Sequence, residues 1–191
     1  WKRNRQPAMG APRLTLALEG GGLDLPAEGR IAVLGPRAGM DLSALERARL
    51  DVIQRFRPDH DAFAAAGWTT RPDAPSEAAG VYDAAIVVLE RARAEARDAV
   101  ARAEALVARG GPVVVDGQKT DGADALLRAL RARVPVAGPI NKAHGKLFWF
   151  AAAWALSDWR APPRRQVEGG FVTAPGVFSA DGPDPGSVLL A

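Results

Sequence analysis

What this chain lacks narrows its chemistry before any motif is read. It has no cysteine, which excludes a disulfide frame, a thiolate metal site and a cysteine nucleophile. Two histidines and one tyrosine leave few side chains that can act as a base near neutral pH. No stretch approaches the roughly 20 consecutive apolar residues of a membrane-spanning helix. The longest apolar run, Leu147 to Leu156, is too short. The opening WKRNRQPAM is basic, with no apolar segment behind it, so it does not read as a signal peptide. These absences point to a cytoplasmic protein with no membrane partner.

What remains is ordinary for a globular protein. The 191 residues, 48% hydrophobic and 25% charged, suffice for one sizeable core, or one domain and part of another. Net charge is only +3, yet the pI near 9.8 and arginine-rich helices suit an anionic partner. A coding bias toward Ala, Arg, Gly and Pro would give the same composition.

Strand and helix signals alternate along the chain. Strands are predicted at Arg30 to Leu34, Leu50 to Gln54, Val81 to Leu89, Pro112 to Val115, Val134 to Ile140 and Lys146 to Ala152. Arg13 to Glu19 alternates and ends in glycines, which predicts an outer strand or hairpin arm. Asp41 is placed to cap a short helix through Arg47, and Pro58 to start one ending at Gly67 with Phe63 inward. From Arg91 to Arg109, Ala96, Val100, Ala103 and Leu106 share one face, with arginines, Glu95, Asp98 and Glu104 opposite and Gly110 at the C-cap. Asp121 is the predicted cap of a helix over Gly122 to Val134. This is βαβ logic and predicts a doubly wound, mostly parallel α/β sheet, with the last two strands forming an antiparallel edge hairpin.

Ligands of open α/β sheets bind outside the carboxyl ends of the strands. The stretch Gly110 to Gly122, GGPVVVDGQKTDG, reads as a buried strand broken by Asp116-Gly117 into a polar loop at that edge. There Lys119 is either a phosphate or base contact or a solvated loop lysine. Lys142, His144 and Lys146, in the NKAHGK turn, could extend a basic strip along an RNA backbone; a polar hairpin turn explains them equally. Phe148, Trp149 and Phe150 either pack the core on both sides or leave an aromatic face for base stacking. GPRAG at 35–39 lacks the G-x-G-x-x-G spacing of a dinucleotide site. His60, between Asp59 and Asp61, has no evident further metal ligand. Arg160, Arg164 and Arg165 could touch phosphates or simply solubilise a linker.

Several motifs carry a resemblance. RIAVLGPRAG (30–39), FRPDHDAFAAAG (56–67), VVVDGQKTDG (113–122), KAHGKLFWFA (142–151) and TAPGVFSADGPDPGSVLL (173–190) resemble the N-terminal half of small-subunit (16S) ribosomal RNA guanine-N2 methyltransferases of the alphaproteobacterial type. The resemblance implies two tandem class I, Rossmann-like methyltransferase folds, the first degenerate and supporting substrate binding and folding. The second binds S-adenosylmethionine on an acidic glycine-rich loop and transfers the methyl group with an Asn-Pro-Pro-Phe motif. Neither D-x-G-x-G-x-G nor N-P-P occurs in this sequence. The expectation is therefore a lead at 1–9, a non-catalytic domain at 10–156, a linker at 157–172, and the start of a truncated catalytic domain at 173–191.

On that basis this piece has no catalytic residue and no metal, binds no S-adenosylmethionine by itself, and is inactive alone. Its expected partners are ribosomal RNA or the small ribosomal subunit, and the catalytic domain of the same protein. RNA contacts are assigned to Lys119, Lys142, His144, Lys146, Arg164 and Arg165, with Phe178, Ser179 and Asp181 lining the catalytic cleft. Two other readings stay open. One is a free-standing α/β enzyme binding a nucleotide or sugar phosphate at the Asp116–Asp121 loop; the other is a purely structural domain.

Overall fold

The computed structural model describes residues 11–75, 79–90, 93–161, 165–166, 172–173 and 185–190. Seven strands form its central sheet: β1 (Ile31–Leu34), β2 (Leu50–Ile53), β3 (Thr70–Arg71), β4 (Ala84–Val88), β5 (Pro112–Gln118), β6 (Ala137–Lys142) and β7 (Gly145–Ala151). Their order is β3-β2-β1-β4-β5-β7-β6. The first five pair in parallel, and β7 lies antiparallel between β5 and β6. The mostly parallel sheet and its antiparallel hairpin are as predicted.

The strands read as continuous apolar runs because both sheet faces are covered. Ile31, Val33, Val52, Ile86, Val114, Leu147 and Trp149 face one layer with Leu14, Ala17 and Phe63, from α1 (Ala11–Leu18) and α2 (Arg57–Ala65). Their neighbours Ala32, Leu34, Ala85, Val87, Val113, Val115, Phe148 and Phe150 face Val100, Ala103, Leu126 and Leu130, from α3 (Arg93–Leu106) and α4 (Ala123–Arg131). The aromatic run of β7 is therefore core on both sides, and offers no stacking platform.

Several expectations are corrected. Arg13 to Leu18 lies in α1 and Glu19 in the turn after it, so no strand forms there. Leu14, Leu16 and Leu18 alternate, but burial follows the helical spacing of Leu14 and Ala17, while Leu16 is 40% exposed. Asp41 caps no helix; its Oδ1 accepts the Ser43 N–H at 2.9 Å in a turn, and only a short 3-10 turn, Arg47–Arg49, follows. Asp116-Gly117 does not break the strand, since β5 runs on to Gln118 with Asp116 paired to Leu147 and Gly117 to Lys146. Glycine is needed at 117 for close approach: an added Cβ would lie 2.6 Å from Leu89 Cδ1. Asp121 is the third residue of a 3-10 turn, Lys119–Asp121, and Gly122 at φ 82° is the actual N-cap of α4. Gly110, at φ 90°, lies in the turn after α3, not directly at its cap.

Two carboxylates expected on the solvated face of α3 are buried. Glu104 accepts backbone N–H groups of Ala153 (3.2 Å), Ala155 (3.0 Å) and Leu156 (2.9 Å). Asp98 accepts the N–H of Ala161 at 2.9 Å. Between these anchors Trp159 lies beneath two guanidiniums, Arg97 at 5.3 Å and Arg133 at 5.6 Å from its ring. The chain leaving β7 is thus fastened along α3, including the first residues of the expected linker. Beyond it, β8 (Arg165–Gln166) and β9 (Val172–Thr173) form a separate antiparallel ribbon, and α5 spans Pro185–Leu190. No helix among the described residues is long and apolar enough to cross a membrane.

Candidate functional site

The carboxyl ends of β1, β4 and β5 open onto the loop holding Arg37 and onto the 3-10 turn at Lys119–Asp121. Two arginines close this edge. Arg13, reaching over from α1, donates Nε to Asp116 Oδ1 at 2.6 Å and Nη1 to the Lys142 carbonyl at 2.8 Å. Both side chains of the Arg13–Asp116 pair are only 3% exposed. Arg37 donates Nη2 to the Leu89 carbonyl at 3.2 Å and to Asp121 Oδ2 at 3.3 Å. A cavity of about 20 Å³ remains between Arg13, Arg37, Met40, Val88 and Asp116 to Gln118, room for a water but not a nucleoside.

Burial pushes the Asp116 carboxyl up, and the hydrogen bond and charge of Arg13 oppose that shift. The arginine fits because its neighbour is glycine: a Cβ at Gly145 would strike the Arg13 guanidinium and lie 2.8 Å from the Gly117 carbonyl.

Above this pair the β6–β7 hairpin turns through Ala143 (φ 48°) and His144 (φ 56°), between the paired Lys142 and Gly145. Two successive positive φ values in a two-residue loop are those of a type I′ turn, which normally recruits Asn-Gly. Its carbonyls are fully used. Arg13 holds that of Lys142, and the Lys119 N–H donates to that of His144 at 2.9 Å. The Gln118 amide, with its nitrogen toward the hairpin, donates to the carbonyls of Ala143 (3.0 Å) and His144 (3.1 Å).

The structure thus brings Lys119, Lys142 and His144 together, all exposed, on backbone segments bonded to one another. It takes Lys146 out of the strip, because its Nζ pairs with Asp124 Oδ1 at 3.0 Å. Arg165 lies in β8, apart from this sheet. Arg164, Phe178, Ser179 and Asp181 lie outside the described residues. Arg160 sits 3.7 Å from Asp98. His60 Nδ1 faces Asp61 at 3.0 Å, and no group of three potential ligands suited to a metal occurs among the described residues. Arg13, Arg37 and Gln118 were not singled out from sequence. Counting Ala17 as apolar would have turned 13–19 into a helix, but nothing in the sequence announces the partners of the two arginines.

The strand order, with β7 antiparallel between β5 and β6, defines a class I methyltransferase fold. No family model matches the chain, and no curated protein matches it. Solved structures do. The 16S rRNA N2 G1207 methyltransferase of T. thermophilus, in complex with AdoMet and guanosine, superposes with a TM-score of 0.71 at 23% identity, over 99% of this chain and 52% of that one. The tRNA (m1A58) methyltransferase of Aquifex aeolicus gives 0.55 at 14%, over 78% and 72%. The putative methyltransferase of Haloferax volcanii, in complex with its Trm112 activator, gives 0.57 at 11%, over 74% and 88%. These likenesses establish the fold. The chain spans about half the length of the first of them.

Proposed function

We propose that this chain is the substrate-recognition and scaffold domain of an S-adenosylmethionine-dependent rRNA guanine-N2 methyltransferase, without a methyl-donor site of its own. One observation carries the reading: at the edge where an open α/β sheet takes its ligand, Arg13 ties β5 to β6, Arg37 ties the end of β4 to the 3-10 turn, and about 20 Å³ remains between them. The absence of D-x-G-x-G-x-G and N-P-P from the sequence accords with it. So does the superposition of nearly the whole chain on about half of a 16S rRNA methyltransferase. In this reading the residues from 173 onward lead into the catalytic domain. Methyl transfer depends on holding donor and acceptor in line, so in this reading the domain supports the reaction by positioning RNA.

The test incubates the purified chain with radiolabelled S-adenosylmethionine and small ribosomal subunits. The expected result is no incorporation and no saturable donor binding by calorimetry, alongside salt-dependent binding of rRNA. Clear incorporation by the chain alone would overturn the reading, and saturable binding of a small phosphate ligand would support a free-standing enzyme instead.

A further inference from the structure

Many of the arginines are committed within the molecule. Arg55 and Arg102 meet on Asp73, Arg57 reaches Asp61, Arg133 holds Asp158, and Arg49 donates to four loop carbonyls. The lysines are distributed differently. Three of the four in the chain are Lys119, Lys142 and Lys146, at one corner of the sheet where β5 ends and β6 turns into β7. Among the described residues, no carboxylate lies within ion-pair distance of Lys119 or Lys142, whereas Lys146 is neutralised by Asp124.

This corner is also held in a conformation that is costly for its residues. Ala143 and His144 both sit in the left-handed region, which residues other than glycine occupy only when the surroundings impose it. Here they do: three consecutive carbonyls, of Lys142, Ala143 and His144, are each bonded from beneath by Arg13, Gln118 or the Lys119 backbone. Arg13 is itself buried. Asn-Gly would form the same turn with less strain, but would leave no imidazole at its tip. Two unpaired ammonium groups and an imidazole therefore project from a backbone that is already ordered, which lowers the entropic cost of holding an extended polyanion.

We propose that the β6–β7 tip, together with Lys119, is the surface on which this domain holds the phosphate backbone of RNA, with Lys119 and Lys142 as the ionic contacts. The inference rests on the rRNA reading above. Contacts of this kind fix register and orientation and carry no sequence information.

The experiment measures binding of the purified chain to small-subunit rRNA at a series of salt concentrations. Each phosphate contact contributes roughly 0.7–0.9 to the slope of log K against log salt. The double variant Lys119→Ala/Lys142→Ala touches no core residue. It is expected to lower that slope by about 1.4–1.8, with an unchanged circular dichroism spectrum and melting curve. Lys146→Ala is expected to leave the slope as it is. Equal slopes for the unmodified chain and the double variant, with binding intact, would overturn this inference alone. No salt-dependent binding by the unmodified chain would overturn the rRNA reading with it.

Discussion

Tyr82, the one tyrosine in the chain, shows how a single buried polar group ties stability to pH. Its hydroxyl donates to Asp51 Oδ2 at 2.8 Å, and the Arg30 guanidinium lies 5.1 Å from its ring centre. Burial first, and then the Asp51 carboxylate, push its pKa up to about 12. The unfolded chain releases this proton near pH 10, whereas the folded protein keeps it to about 12. Deprotonation therefore favours unfolding: the contribution is complete below pH 10 and is lost as pH rises through 12. The whole effect amounts to roughly 2–3 kcal/mol. Because there is no second tyrosine, tyrosinate absorbance reads this residue alone. A folded-state midpoint near 10 would refute the account, and Tyr82→Phe is expected to flatten the alkaline limb of the stability curve.

At the scale of the element, the β6–β7 turn separates stability from use. Replacing Ala143-His144 with Asn-Gly should relieve left-handed strain of order 1–3 kcal/mol for each residue. For a chain of this size, each kcal/mol raises Tm by about 2–4 °C. The expected result is a higher Tm together with weaker rRNA binding; a lower Tm would mean that the turn carries no such strain. Elements were legible where one pattern dominated. The apolar runs of β1, β2, β4 and β5 and the alanine stripe of α3 can be read in the sequence. Legibility failed where two periods fitted, as at Leu14, Leu16 and Leu18. It failed also where a partner lies far along the chain: Glu104 reads as a solvated helix charge, and its acceptor role depends on the backbone of residues 153–156. Backbone donors leave no mark on the sequence.

In the whole molecule, the same distinction decides how much of the site could be foreseen. The doubly wound sheet and its edge hairpin follow from the order of strand and helix signals, and Lys119, Lys142 and His144 follow from polar residues at strand ends. The closing of the carboxyl edge does not, because Arg13 and Asp116 are 103 positions apart. That pair joins α1, at the start of the described chain, to β5 and the hairpin, so its removal should be felt globally. Arg13→Met leaves Asp116 buried with no cation, and the expected cost is about 3–5 kcal/mol by urea denaturation. Burial already pushes the Asp116 carboxyl up, and without Arg13 it should rise further. Because a raised folded-state pKa favours the protonated native state, the deficit of Arg13→Met should shrink as pH falls toward the unfolded carboxyl value. Arg13→Met/Asp116→Leu, which buries no charge, should recover most of the loss. A single variant within about 0.5 kcal/mol of the unmodified chain, or a double variant no better than the single, would show that the pair does not hold the edge closed.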